Sequence, residues 1–144
     1  MQTSGYRFGR RSSERLATCH PYLQTLMRAA LESPDCPCDF SVIEGHRGEA
    51  RQNEMHDTGA SQLRWPKSRH NTTPSLAVDV APYIAGAISW DWTHYHPLAA
   101  HIKATWARLV AEGDVAGELE WGGDWRRFKD GPHWQITGVR ADVK

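Results

Sequence analysis

The run SRHNTTPSLAVDV, residues 68–80, sets His70 in a polar, turn-rich stretch and Asp79 nine residues later inside an otherwise apolar one. An ionised carboxylate in a partly buried place needs a partner, because desolvating the charge alone is costly. A cation such as arginine or a metal ion satisfies that need, and the residue types leave both open. Near the end of the chain, HWQITGV (residues 133–139) carries a histidine at the start of a second apolar run. Neutral imidazole and carboxylate are typical zinc ligands, and a catalytic zinc site uses about three protein ligands plus a water. His70, Asp79 and His133 supply such a set.

Strands must position two of the three. Successive side chains of a strand point to opposite faces, so Leu76, Val78 and Val80 share one side while Ser75, Ala77 and Asp79 share the other. The last strand repeats the arrangement, with Trp134 and Ile136 alternating against His133, Gln135 and Thr137. If both lie in one sheet, Asp79 and His133 project from the same face. A further strand is expected at FSVIEG (residues 40–45), bounded by the stop SPDCPCD (33–39). A helix is expected from Ser12, with Leu16, Leu23, Leu26, Met27, Ala30 and Leu31 at helical spacing. Residues 47–60 read as a short polar helix ending near Gly59, residues 61–75 as an irregular loop, and a second long helix follows Pro97 with Leu98, Ile102, Trp106, Leu109 and Val110 as its apolar stripe.

The bulk properties limit the classes. With 144 residues, 40% hydrophobic and seven tryptophans, the chain fits one domain with a real core. Its 17 acidic and 17 basic side chains balance, which leaves no overall field to hold nucleic acid or an anionic membrane. No segment approaches the roughly 20 apolar residues of a membrane span, and the basic N-terminus lacks the apolar stretch of a secretory signal. Three cysteines, an odd count, point to free thiols rather than a disulfide framework. A zinc site built from Cys19, His20, Cys36 and Cys38 is a weaker possibility, because C-x-C lacks the usual two-residue gap.

The combination of SRH, A-V-D and, some 50 residues later, EWGGDW and DGPHW resembles the zinc peptidases that cleave D-amino-acid-containing peptides of bacterial cell walls. This is the superfamily of D-alanyl-D-alanine carboxypeptidases and L-alanyl-D-glutamate endopeptidases, which includes many phage endolysins. The likeness runs from about Phe40 to Ile136, and the helix from Ser12 suits the family's N-terminal part. It implies an α+β fold of the D-Ala-D-Ala carboxypeptidase (hedgehog-like) type, a small antiparallel sheet packed against flanking helices in one catalytic domain. By motif it implies zinc held by His70, Asp79 and His133, with Asp130 as general acid/base and Ser68 beside the first ligand. Arg47, in EGHR, corresponds to an arginine that holds substrate and polarises its carbonyl, and Gln52 fits the helix that follows. Two departures stand out: the gap from His70 to Asp79 is two residues longer than usual with Ser75 in a glycine's place, and the acid is aspartate where many relatives use glutamate.

The resemblance further implies a peptidoglycan stem peptide as substrate and cleavage between L-alanine and D-glutamate; the length leaves no separate wall-binding module, and the oligomeric state stays open with a monomer as the default expectation. The absence of such a module suits a Gram-negative wall. An endolysin without a signal waits in the host cytoplasm and reaches the wall once the membrane is opened. The alternatives are a D-Ala-D-Ala carboxypeptidase or dipeptidase on the same site and, in another class, a zinc-stabilised wall-binding module without catalysis. Two other groups bear watching. His94 and His96 are two apart, a spacing that chelates metal from a strand, with His101 beyond; Trp90, Trp92, Trp121 and Trp125 sit near Gly and Asp, suited to lining a cleft or, more commonly, to the core.

Overall fold

Helical spacing runs without interruption through the N-terminal stretch, yet the chain divides at Pro21. The computed structural model, which describes residues 2–141, has α1 (Arg10–Leu16) and α2 (Pro21–Glu32) in place of the single expected helix. Proline has no N–H and fits only the first turn of a helix, so Pro21 opens α2, with His20 Nδ1 accepting from the Tyr22 amide as cap. The intervening piece is claimed by a distant partner: the His20 amide donates to the Ser75 carbonyl (2.8 Å) and the Ser75 amide to the Thr18 carbonyl (3.0 Å).

The strands form one antiparallel sheet in the order β1 (Phe40–Glu44), β2 (Ala77–Ile84), β5 (His133–Thr137), β4 (Glu118–Trp121), with the short β3 (Ala87–Ile88) paired to the end of β2. Strands β3 and β4 lie in stretches that alternation did not mark. Helix α3 (Glu49–Asp57) falls inside the expected range. Helix α4 (Trp92–Ala111) begins five residues before Pro97, because the Asp91 carboxylate caps it by accepting from the Thr93 amide at 2.9 Å. Pro97 is accommodated within the helix. Val110, expected on the buried stripe, is 42% exposed, while Leu98, Ile102, Trp106 and Leu109 are buried.

The core lies between α2, α4 and one face of the sheet, where Leu23, Leu26, Ile102, Val78, Val80, Trp134 and Ile136 meet. That leaves the other face of the central strands β2 and β5 for Asp79 and His133, which stand opposite each other in the ladder. Strand β1 has a register shift between Val42 and Glu44, so Glu44 rather than Ile43 comes opposite Asp79. Such a bulge re-aims side chains at the edge of a site.

Gly45 ends β1 where the chain touches the end of α1. A Cβ there would strike the Thr18 hydroxyl and the Arg15 carbonyl and come within 3.0 Å of Cys19 Sγ. Backbone and a buried thiol cannot swing aside, so Gly45→Ala should destabilise the protein by about 1–3 kcal/mol, the range for overpacking. Urea denaturation checks this; an unchanged midpoint would mean that the approach is not tight.

Candidate metal centre

His70 rides on a single turn of 3-10 helix, Arg69–Asn71, fixed by a reciprocal cap: Ser68 Oγ accepts from the His70 amide (3.2 Å) and Asn71 Oδ1 from the Ser68 amide (3.0 Å). Ser68 therefore positions the turn. The His70 ring donates Nδ1–H to the Gly45 carbonyl at 2.8 Å, and His133 donates Nε2–H to Gln135 Oε1 at 2.8 Å. Each acceptor selects the tautomer that turns the ring's lone pair inward, His70 through Nε2 and His133 through Nδ1.

Those two nitrogens and Asp79 Oδ1 make a nearly equilateral triangle. The sides are 3.2 Å from His70 Nε2 to His133 Nδ1, 3.3 Å from His70 Nε2 to Asp79 Oδ1, and 3.4 Å from His133 Nδ1 to Asp79 Oδ1. Asp79 Oδ1 is buried and has no hydrogen-bond partner among the described residues. With both rings donating outward, no hydrogen lies between the three donors, and three converging lone pairs repel unless a cation sits among them. Donors of a tetrahedral ion with bonds of about 2.0–2.1 Å stand about 3.3 Å apart. The triangle fits a divalent metal. Among the described residues no other group of His, Cys, Asp and Glu gathers in this way.

The other metal readings do not come together. Cys19 Sγ is buried near the Ala77 carbonyl and Cys36 Sγ turns to the Cys38 carbonyl, so the thiols do not converge with His20; burial pushes Cys19 up to about 12 and Cys36 up to about 11. His94 and His96 lie on a helix, where residues two apart diverge. His94 meets Ser89 Oγ, His96 packs on Trp92 and Trp121, and His101 meets the Ala30 carbonyl.

Arg47 is only 4% exposed and heavily engaged. Its Nε and Nη2 donate to Glu44 Oε1 (3.1 and 2.8 Å), Nη2 also to Asp79 Oδ2 (3.3 Å), and Nη1 to Gln52 Oε1 (2.9 Å). Both the salt bridge to Glu44 and a place beside the metal ligands are therefore realised at once, leaving one Nη1 hydrogen of the guanidinium's five unassigned. Arg47 separates two carboxylates that the bulge sets opposite each other. Gln52, fully buried, completes the support: its Oε1 also accepts from Asn71 Nδ2 (3.2 Å), and its Nε2 donates to Ser61 Oγ and the Leu63 carbonyl.

Asp130 opens the loop into β5. Its side chain makes no hydrogen bond or ion pair among the described residues, and it lines a cleft of about 460 Å³ together with Asp79, His70 and His133. Burial and then the charge of Asp79 push its carboxyl above the ordinary range. Tyr95 has a buried hydroxyl without a hydrogen-bond partner among the described residues and is pushed up to about 12 by burial and by Asp130 and Asp79, so it stays neutral. Trp121 is 5% exposed and does not face the cleft; it donates Nε1–H to the Gly131 carbonyl (2.7 Å), stacks on Trp134, and so pins the Asp130 loop. The aromatic residues that do line the cleft are Trp90, Trp125 and Phe128, with Trp125 packed on the His133 ring at 5.0 Å. Sequence reasoning missed Gly45 as a support, whereas Glu44, with Glu49, was among the carboxylates expected to pair with Arg47, and it does so. Gln135 was within reach, since it shares His133's face two residues on.

Fold and donor set together define a mixed α/β domain whose cleft holds a group of residues able to bind a metal ion. The chain belongs to the phage L-alanyl-D-glutamate peptidase family, whose sequence profile matches residues 4–137 and so takes in α1 and α2 as well as the motifs. It is 35% identical over 130 residues to the L-alanyl-D-glutamate peptidase of Escherichia phage T5, covering 87% of this chain and 85% of that one. It is 33% identical over 106 residues to the peptidoglycan L-alanyl-D-glutamate endopeptidase CwlK of Bacillus subtilis, covering 68% of this chain and 60% of that one. The crystal structure of the Serratia marcescens L-Ala D-Glu endopeptidase ChiX matches with a TM-score of 0.74 at 39% identity, over 92% of each chain.

Protons compete with a metal for the triangle. Burial lowers the affinity of His133 for a proton, but the Asp79 carboxylate beside its Nδ1 outweighs it and raises the pKa. For Asp79 burial acts upward, and the neighbouring His70 and His133 hold the carboxyl well below the usual range. A raised histidine pKa means that the neutral, metal-binding form is lost as pH falls through it, so metal affinity should weaken from neutral pH downward and uptake should release protons. Calorimetric zinc titrations in buffers of different ionisation enthalpy check the sign; uptake without proton release below neutral pH would contradict it.

Proposed function

We propose that the chain is a zinc-dependent peptidoglycan endopeptidase that hydrolyses the amide between L-alanine and D-glutamate of the stem peptide. The observation that carries the reading is the triangle of inward lone pairs beside a carboxylate, Asp130, that nothing else engages. His70, Asp79 and His133 would hold the ion. A divalent ion held there would supply the Lewis acidity that activates water and polarises the scissile carbonyl.

The chain's own residues supply the rest. Asp130 takes a proton from the attacking water on a carboxylate oxygen and returns it to the D-glutamate nitrogen as the amide breaks, a shuttle served by a carboxyl whose pKa lies above the ordinary range. Arg47 holds Asp79 in place through Oδ2 and has one Nη1 hydrogen to offer a substrate oxygen. Trp125 covers the His133 ring and limits water around it. Gly131 lets the loop lie against Tyr95 and Trp92, whose ring carbons would stand 3.4 Å from a Cβ there.

The described residues are read as one catalytic domain, acting as a monomer on the cell wall. The phage relative supports a place in host lysis, with the protein held in the host cytoplasm until the membrane is permeabilised. Among the described residues no helix is long and apolar enough to cross a membrane. The carboxypeptidase reading uses the same site and no feature of the cleft favours it. An inactive binding module would leave Asp130 without a task.

Asp130→Asn should keep the fold and zinc content and lower turnover by about 100-fold or more, the scale of general acid–base catalysis. Mass spectrometry of digested peptidoglycan should show new D-glutamate amino termini with the wild type and none after chelation. Free D-alanine instead would move the assignment to the carboxypeptidase, and full lytic activity of the Asn variant would remove Asp130 from the mechanism.

A further inference from the structure

The charges lining the cleft do not all find partners within the protein. Its cations are Arg47, Arg51, Lys67 and Arg69, and its carboxylates Glu44, Asp79 and Asp130. Glu44 is bound by Arg47 and Arg51, Asp79 by Arg47, and Arg51 also by Glu54. The side chains of Lys67 and Arg69 make no ion pair or hydrogen bond among the described residues. They flank Ser68, on the capped turn that presents His70. The Arg69 carbonyl accepts from the Leu76 amide (3.0 Å) and Thr72 Oγ1 (3.3 Å), so the backbone under this cation is fixed as firmly as that of its neighbour His70. Adjacent Cα atoms are about 3.8 Å apart, which places the half-buried Arg69 within side-chain reach of the reacting centre.

The substrate of the reading above brings an anion to this place. In a stem peptide, D-glutamate continues the chain through its γ-carboxyl, so its α-carboxylate is free and sits on the carbon bonded to the scissile nitrogen. That charge must enter a cleft already holding Asp130 and Asp79, where Arg47 is almost fully engaged. Unpaired, it would be repelled by both acids and lose its hydration.

We propose that Arg69, assisted by Lys67, receives the α-carboxylate of D-glutamate and makes the enzyme discriminate against stem peptides in which that carboxylate is amidated. This specificity rests on the endopeptidase reading and adds to it. A guanidinium fork suits a carboxylate better than a lysine ammonium does, which assigns Arg69 the larger part.

The test gives zinc-loaded full-length protein two N-acetylated tripeptides, L-Ala-D-Glu-L-Lys joined through the D-Glu γ-carboxyl and the same peptide with the D-Glu α-carboxylate amidated (D-isoglutamine). The wild type should cleave the acid about tenfold or more faster in kcat/KM, the scale of a hydrogen bond to a charged group. Arg69→Gln should remove most of that preference by slowing the acid peptide while leaving the amide nearly unchanged; Lys67→Gln should do so in part, and Arg69→Lys should retain some of it. Calorimetry with Asp130→Asn should show the same preference in binding, independently of turnover. Equal rates on both peptides by the wild type, or equal losses on both in the variants, would overturn the assignment while leaving the endopeptidase intact. Cleavage of neither peptide by the wild type would overturn both.

Discussion

Asp79 stands opposite His133 in the ladder between the two central strands, and a slip of either strand by one residue would send its donor to the core face. The register is held by Val78, Val80, Trp134 and Ile136 on that core face, all essentially inaccessible to water. Apolar burial thus determines where two polar donors meet. The third, His70, comes from outside the sheet and is brought in by a capped turn whose backbone is tied to the segment between β1 and α3 through the Arg47 amide and the His70 carbonyl at 2.8 Å.

What this arrangement requires is compensation for like charge. The bulge in β1 sets Glu44 against Asp79, and two carboxylates in partial burial are tolerable only with Arg47 between them. Arg47 is in turn oriented by Gln52, which also ties the His70 turn through Asn71. In this network Glu44, Gln52 and four of the five N–H groups of Arg47 have partners among the described residues. Four groups left open among the described residues, Asp79 Oδ1 and the side chains of Asp130, Lys67 and Arg69, face the cleft. Such concentration of unsatisfied chemistry in one cavity is the usual mark of a site that binds something.

The parts of this legible in the sequence were those governed by short-range periodicity. Alternation in residues 76–80 and 133–137 put Asp79 and His133 on the face away from the core, and the motifs named the family. The division of α1 from α2 was half visible in Pro21, but its cause, the pairing of Thr18 and His20 with Ser75, spans more than fifty residues. Asp91 is an ordinary cap that Pro97 obscured, since a proline six residues into a helix reads as a boundary. The bulge that re-aims Glu44, and with it the engagement of Arg47, depends on inter-strand register and leaves no local signal. Trp121 has a composition suited either to a cleft or to a core, and only the fold decides for the core.

The central claim is that these three donors gather one metal ion between them. Anomalous diffraction at the zinc edge from crystals of the zinc-loaded protein tests it most directly. The account predicts a single strong peak about 2.0–2.1 Å from His70 Nε2, Asp79 Oδ1 and His133 Nδ1. A peak elsewhere, at the cysteines or on α4, or ligation through the opposite ring nitrogens, would contradict it.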